Sequence, residues 1–465
     1  MNRGLLLAVV FAVLASACAS ASQPSAAPTT APDTATTSSS LAAPSSASTT
    51  IETTTTRVPD PIPDVVSEPD VRPGAQVLID DPVSLLAGER VGLIAHQNSV
   101  VTIDDVQVHV SDALHADSTV ELVALFGPEH SVRGTADAGV LIDDETDPNT
   151  GLPVFSLFGS TRQPTPQMLE GIDVLVYDLQ DVGTRYYTYI STMGLAMQAA
   201  AQAGIRFVVL DRPNPLGGEI GGGVLEPARA SFVGQYPIPD QYGLTAGELA
   251  REIVRQDWLP GVETLELDVI AVEGWSRSMR WEDTGLDWIA PSPALDTPES
   301  ALLYPATIWF EASSLSYGRG TTEPFRVLGA PWLDAESAVA DLTNRDLPGV
   351  AFEVDEITPE LLPGVTVEPA FLGVSIPAVR LRVTDAQLVT PTELGIHLLD
   401  VMTDQARNAG VNLLARPAWL DQLAGNTVLR SAIESGDFDV QAIIDSQLRQ
   451  RDDLGELLQS NLLYE

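Results

Sequence analysis

Short runs of Val, Ile and Leu alternate along the chain with longer segments of helical periodicity, and this alternation predicts a parallel α/β sheet. Val91 to Ala95, Val120 to Phe126, Val174 to Leu179 and Phe207 to Leu210 are the clearest strands. They are apolar at successive positions, as strands covered on both faces must be. Ile190 to Ala203 predicts a helix with Met193, Met197 and Ala200 on one side, closed by Gly204, which tolerates the left-handed conformation of a helix end. Thr245-Ala246-Gly247-Glu248 has the spacing of a capping box and opens a helix running to about Gln256, before Pro260. A further strand is expected at Leu265 to Val272.

Beyond Trp332 the texture changes. A helix is expected near Ala335 to Asn344, strands near Val350 to Val354, Val365 to Pro369 and Pro377 to Val383, and helices again at Thr392 to Ala409 and Val440 to Leu458. The shift places a domain boundary between Pro305 and Pro331, giving a larger domain over 71–315 and a smaller one over 316–465.

The first 70 residues follow neither pattern. Arg3 and the apolar run Leu5 to Ala17, too short to span a bilayer comfortably, predict a signal peptide over residues 1–18. Cys18, the only cysteine, directly follows Leu14-Ala15-Ser16-Ala17, which looks like a lipobox and makes Cys18 the expected lipid attachment point. Residues 19–70 are Ser, Thr, Ala and Pro with scarcely a large apolar side chain, a composition that cannot offset its ordering entropy. They are expected to form a disordered tether spanning roughly 40 Å on average. The chain is therefore expected to be exported and held at the outer face of the cell membrane as a lipoprotein.

A formal net charge of −40 excludes nucleic acid as a partner. Gly217 to Gly223 does not match a dinucleotide fingerprint, and no Gly-x-Ser-x-Gly elbow, phosphate loop or His-Glu-x-x-His motif occurs. The five histidines, His96, His109, His115, His130 and His397, are scattered, so neither a metal site nor a cofactor is expected.

In open parallel sheets ligands bind outside the carboxyl ends of the strands. There the sequence places Glu129, His130 and Arg133; then Asp178, Gln180, Asp181, Arg185, Tyr186, Tyr187 and Tyr189; then Asp211, Arg212 and Asn214. Acids, amides, guanidinium groups and aromatic faces together suit a sugar. Asp178, Asp181 and Asp211 could equally cap helices or form turns, Arg185 and Arg212 could simply neutralise them, and at least one of the tyrosines should be core. Glu129 with His130 on a Pro-fixed turn is the pair that most resembles a held general acid.

Several ordered segments resemble the exo-β-N-acetylmuramidase family. They are Val91 to Asn98, Leu125 to His130, Asp178 to Tyr189, Asp211 to Gly218, Pro291-Ser292-Pro293, Gly318 to Phe325 and Gly329 to Trp332, so the likeness runs from about Val91 to the C-terminus. Within it Ser131 stands where Gly is usual and Tyr317 where Glu is common. The resemblance implies a Rossmann-like domain beside a smaller α/β domain, with a cleft between them. It also implies hydrolysis of the β-1,4 bond of a non-reducing terminal N-acetylmuramic acid in peptidoglycan fragments, with Glu129 the catalytic glutamate. Gln97, Asn98, Glu311 and Arg319 join the substrate-binding candidates.

On this reading Glu129 is the general acid, His130 orients it, and a second carboxylate is drawn from Asp178, Asp181 and Glu311, with Asp181 preferred. A carboxyl separation of roughly 5 Å would retain configuration and roughly 6.5 to 9.5 Å would invert it. Assistance by the substrate's N-acetyl group is a third route. Arg185, Arg212 and Arg319 are the candidates for the lactyl carboxylate. The rival reading is a lipid-anchored protein that binds muropeptides without cleaving them.

Overall fold

Six parallel strands form the spine: β1 Arg90–Ala95, β2 Glu121–Gly127, β3 Pro153–Ser156, β4 Val174–Asp178, β5 Arg206–Leu210 and β6 Leu267–Ile270. The computed structural model describes residues 71–80, 83–134, 139–362, 368–458 and 462–465. The expected signal peptide, Cys18, the tether and the larger part of the strand expected at Val365 to Pro369 lie outside the described residues. The strands lie side by side in the order β6-β5-β4-β1-β2-β3, with Glu145–Thr146 added antiparallel at the β3 edge. The chain leaves β1 toward β2 and β3, then returns to the other side of β1 for β4, β5 and β6. That reversal between β1 and β4 defines the switch point of a Rossmann-like sheet, where a crevice opens beyond the strand ends.

The two-sided apolar strands are buried as their composition requires: all five residues of β4 are buried, as are Phe207 to Leu210 in β5. Helix α1, Tyr189–Ala203, lays Met193, Met197 and Ala200 into the core without exposure, and each Met contributes about 1.5–3 kcal/mol by burial. Gly204 ends it in the left-handed region at φ 67°. Helix α2, Ala246–Arg255, opens with the capping box expected at Thr245 and Glu248.

Further along lie α3 Pro298–Thr307, an antiparallel sheet of β7 Val327–Gly329, β8 Val350–Ile357 and β9 Ile376–Val383, and the helices α4 Ala335–Asn344, α5 Pro391–Asn408 and α6 Val440–Leu458. One apolar core runs without interruption from α1 through α3 to α5. The described residues fall within a single compact unit. The last residues return to the parallel sheet. The Tyr464 hydroxyl donates to Asp211 Oδ2 at 2.6 Å, just beyond β5, and Leu463 N donates to Glu248 Oε1 at 2.8 Å.

Candidate functional site

Strand β2 delivers Gly127, Pro128 and then Glu129 to the carboxyl edge of the sheet. His130 and Ser131 follow at φ 76° and 65°. Two successive side-chain-bearing residues in the left-handed region cost about 1–2 kcal/mol each. The turn is held by Ser131 N donating to Pro128 O at 3.0 Å and Ser131 Oγ donating to Glu145 Oε1 at 2.6 Å. The Glu129 carboxylate accepts from Gly139 N at Oε1 (2.8 Å) and from Thr188 Oγ1 at Oε2 (3.2 Å). The Tyr189 hydroxyl lies 3.4 Å from the Glu129 carbonyl and 2.9 Å from that of Pro291. Tyr187 also donates to Pro291 O, at 2.8 Å, so both buried tyrosines fix the Pro291 segment behind the turn.

Glu129 opens into a cleft of about 810 Å³ whose walls come from both sides of the expected domain boundary. Phe158, Arg162, Tyr186, Thr188 and Phe232 line it from the parallel-sheet part, and Glu311, Tyr317, Arg319, Glu368, Arg416 and Trp419 from beyond α3. Arg319 is the notable cation. Its Nε is buried with no hydrogen-bond partner among the described residues. Its guanidinium carbon lies 5.5 Å from the Phe325 ring centre and 5.7 Å from that of Tyr317. Burial disfavours its charge, but Tyr317, Glu311, Tyr304 and Glu129 together outweigh that and raise its pKa.

The other candidates are distributed elsewhere. Asp181, preferred from sequence as second carboxylate, is not on the cleft: it is buried, accepts from the Tyr242 hydroxyl and from Gly183 N at 2.7 Å, and burial pushes its pKa up to about 6. Its neighbours tie it into the fold, and the carboxylate that joins Glu129 on the cleft from the original set is Glu311. Arg185, fully buried, pairs with Asp240 and donates to Leu423 O at 3.1 Å. Arg212 grips Asp178 with two bonds of 2.6 and 3.0 Å. Of the three arginines considered for the lactyl group, only Arg319 is on the cleft.

Asp211 accepts from Thr245 Oγ1, Gly247 N and Tyr464, and Asn214 donates to Leu244 O and accepts from Leu216 N. Both brace the loop after β5. Arg133 forms ion pairs with Asp112 and Asp147, and Gln97 donates to Ala290 O at 2.7 Å. His130 is buried behind the turn, its ring 6.0 Å from that of His96. Asn98 and Gln180 line a different pocket. Of the cleft residues missed in the sequence, Phe158 follows the short strand β3, Arg162, Phe232 and Arg416 sit on connections, and Trp419 lies on the helix Pro417–Ala424.

His96 is fully buried, and neither ring nitrogen reaches hydrogen-bond geometry with a partner. Burial, then the charges of His130 and His109, push its pKa well below 6.5, with Asn98 acting weakly in the opposite direction. In the folded state the ring refuses a proton that the unfolded chain accepts. His96 therefore opposes folding progressively as pH falls below about 6.5. Denaturant titrations of wild type and His96→Asn at pH 8 and pH 5 should show a shallower acid-side loss in the variant. Equal losses would show that His96 charges without cost.

Two profiles of one family match the chain. Residues 91–299 match the family profile described as exo-beta-N-acetylmuramidase NamZ, N-terminal, and residues 302–464 match its C-terminal counterpart. The chain is 39% identical over 398 residues to the peptidoglycan beta-N-acetylmuramidase NamZ of Bacillus subtilis (strain 168), covering 85% of this chain and 92% of that one. Two crystal structures of DUF1343 family proteins from Bacteroides fragilis NCTC 9343 share the fold. One has a TM-score of 0.77 and 36% identity, covering 85% of this chain and 100% of that chain. The other has a TM-score of 0.69 and 28% identity, covering 85% and 99%.

Proposed function

The chain belongs to the exo-β-N-acetylmuramidase NamZ family, and from that premise we propose that its cleft performs the reaction with Glu129 as acid and Arg319 as the group that selects muramic acid. The protein is a glycoside hydrolase that removes non-reducing terminal N-acetylmuramic acid from peptidoglycan fragments by cleaving its β-1,4 bond. The observation that carries the assignment of roles is the joint presence of Glu129, Glu311 and Arg319 on one cleft.

The hydrogen bonds of Glu129 suit an acid. Gly139 N can only donate, so Oε1 is kept as an acceptor and the proton belongs on Oε2. There the Thr188 hydroxyl can rotate, donating to the carboxylate and accepting from the acid, so neither protonation state loses its partner. The proton passes from Oε2 to the glycosidic oxygen as the C1–O bond breaks. As that bond breaks, Glu311, the second carboxylate, either takes a proton from the water that attacks the anomeric carbon or attacks that carbon itself, in which case water, deprotonated by Glu129, then hydrolyses the glycosyl ester. Arg319 meets the lactyl carboxylate, which a planar guanidinium can bind through two parallel bonds. Aromatic faces at Tyr304, Tyr317 and Trp419 supply the apolar walls for the ring.

The test is release of chromophore from a β-N-acetylmuramide by the purified full chain, with the matching N-acetylglucosaminide as control. Release from the muramide alone is expected. Comparable release from both would remove muramic acid selection from the cleft.

Lipid attachment at Cys18, with export to the outer face of the membrane, belongs to the same reading and is supported by the N-terminal sequence. Cells fed a fatty-acid analogue should label wild type and not Cys18→Ser. Persistent label in the variant would rule the anchor out.

A further inference from the structure

A second pocket, of about 400 Å³, lies beyond the carboxyl ends of β1, β4 and β5 and shares no lining residue with the Glu129 cleft. It occupies the switch point between β1 and β4, where open α/β sheets bind their ligands. The volume falls in the range of small-molecule sites.

Its polar lining has unused capacity. Asn98, 3% exposed, holds neither Oδ1 nor Nδ2 in good hydrogen-bond geometry among the described residues, its interaction with the His96 ring being weak. Gln180, also 3% exposed, gives its amide nitrogen to the carbonyls of Asp181 and Pro213 and leaves Oε1 unpaired. Trp281 Nε1 is buried without a partner. Unpaired buried polar atoms of this kind cost about 1–3 kcal/mol each unless a ligand or water meets them. The charge of Arg212 is matched by Asp178 within the fold. Leu286 and Ile289 add apolar surface beside the indole.

This chemistry selects against a nucleotide. β1 runs into His96-Gln97-Asn98-Ser99 and then another strand without a glycine turn, and the short helix Gly74–Asp80 beside the pocket spends its first N–H groups within the fold, Gly74 N on Asp211 O and Gln76 N and Val77 N on Pro73 O. The unmet groups are both donors and acceptors and all are neutral, so the complementary ligand is uncharged and carries groups that do both. Sugar hydroxyls and a secondary amide have that property, and an indole suits a pyranose face.

We propose that this pocket is a second, non-catalytic carbohydrate site that takes a neutral N-acetylhexosamine of the N-acetylglucosamine type. Its amide would pair with Asn98 and Gln180. Only the choice of sugar rests on the peptidoglycan reading, since such chains alternate muramic acid with N-acetylglucosamine.

The test uses the full chain carrying Glu129→Gln, titrated with N-acetylglucosamine by calorimetry and tryptophan fluorescence. One saturable site in the millimolar range is expected, with glucose at least tenfold weaker. Adding Asn98→Leu, or Ile289→Trp to fill the pocket, should weaken binding at least tenfold, whereas adding Arg319→Met should not change it. Trp281→Phe, which removes the N–H donor and narrows the ring platform while keeping an aromatic face, serves as the second variant where a polar change impairs folding, and should also weaken binding. No saturable binding, or binding lost with Arg319→Met and kept in the pocket variants, would overturn the proposal. Hydrolysis of the muramide by wild type is scored separately, so sugar binding here without cleavage there would refute the enzymatic roles and leave the second site standing.

Discussion

Glu129→Gln should lower kcat about 10³-fold on a disaccharide whose leaving group is a sugar, and only about tenfold on an aryl muramide with an acidic phenol as leaving group. General acid catalysis is worth about 10² to 10⁴ in rate, and its share shrinks when the departing oxygen is stable as an anion. The amide keeps an acceptor for Gly139 N and a partner for Thr188, so the turn and the cleft should survive. KM should therefore change little, because the interaction removed is one made as the bond breaks. Parallel kinetics on the two substrates decide the role. An equal loss on both would move Glu129 from acid to nucleophile or to a purely structural part.

Arg319→Met should cut kcat/KM on muramoyl substrates by about 30- to 1000-fold, as expected for losing a charged partner worth about 2–4 kcal/mol in a partly dry site. The glucosaminyl counterpart lacks the lactyl carboxylate and should lose less than threefold. Methionine fills much of the arginine stem and can still pack against Phe325 and Tyr317. Lysine at the same position should recover part of the loss but not the bidentate geometry. Equal losses on both sugars would place Arg319 among the residues that merely shape the cleft.

The sheet could be read from the sequence because its strands are buried on both faces and so are nearly continuous in Val, Ile and Leu. Helices α4 and α6 appeared with their observed limits. Helix α3 did not, because all its residues from Ser300 to Thr307 are buried and Pro305 sits inside it, so no polar face repeats. The strand Ile220–Val224 carries three glycines and shows no period at all. At the site the same division holds. Glu129 was legible because a proline and a histidine flank it at a strand end. Asp178, Asp181 and Asp211 also stand at strand ends, yet what they face is set by Arg212, Tyr242, Thr245 and Tyr464, far off in the chain. Spacing along a sequence carries no information about such partners.

The return of the C-terminus to the parallel sheet bears on how the protein is made. Tyr464 lies far beyond β6 in the chain, yet it donates to Asp211, packs edge-on against Trp275 at 5.0 Å and accepts from Val272 N. During synthesis every strand of that sheet is complete long before this residue leaves the ribosome. The first part of the molecule thus waits, with the loop beyond β5 unbraced, for Leu463 and Tyr464. Loss of Leu463 and Tyr464 would leave that loop without its brace and the first part of the molecule unclosed.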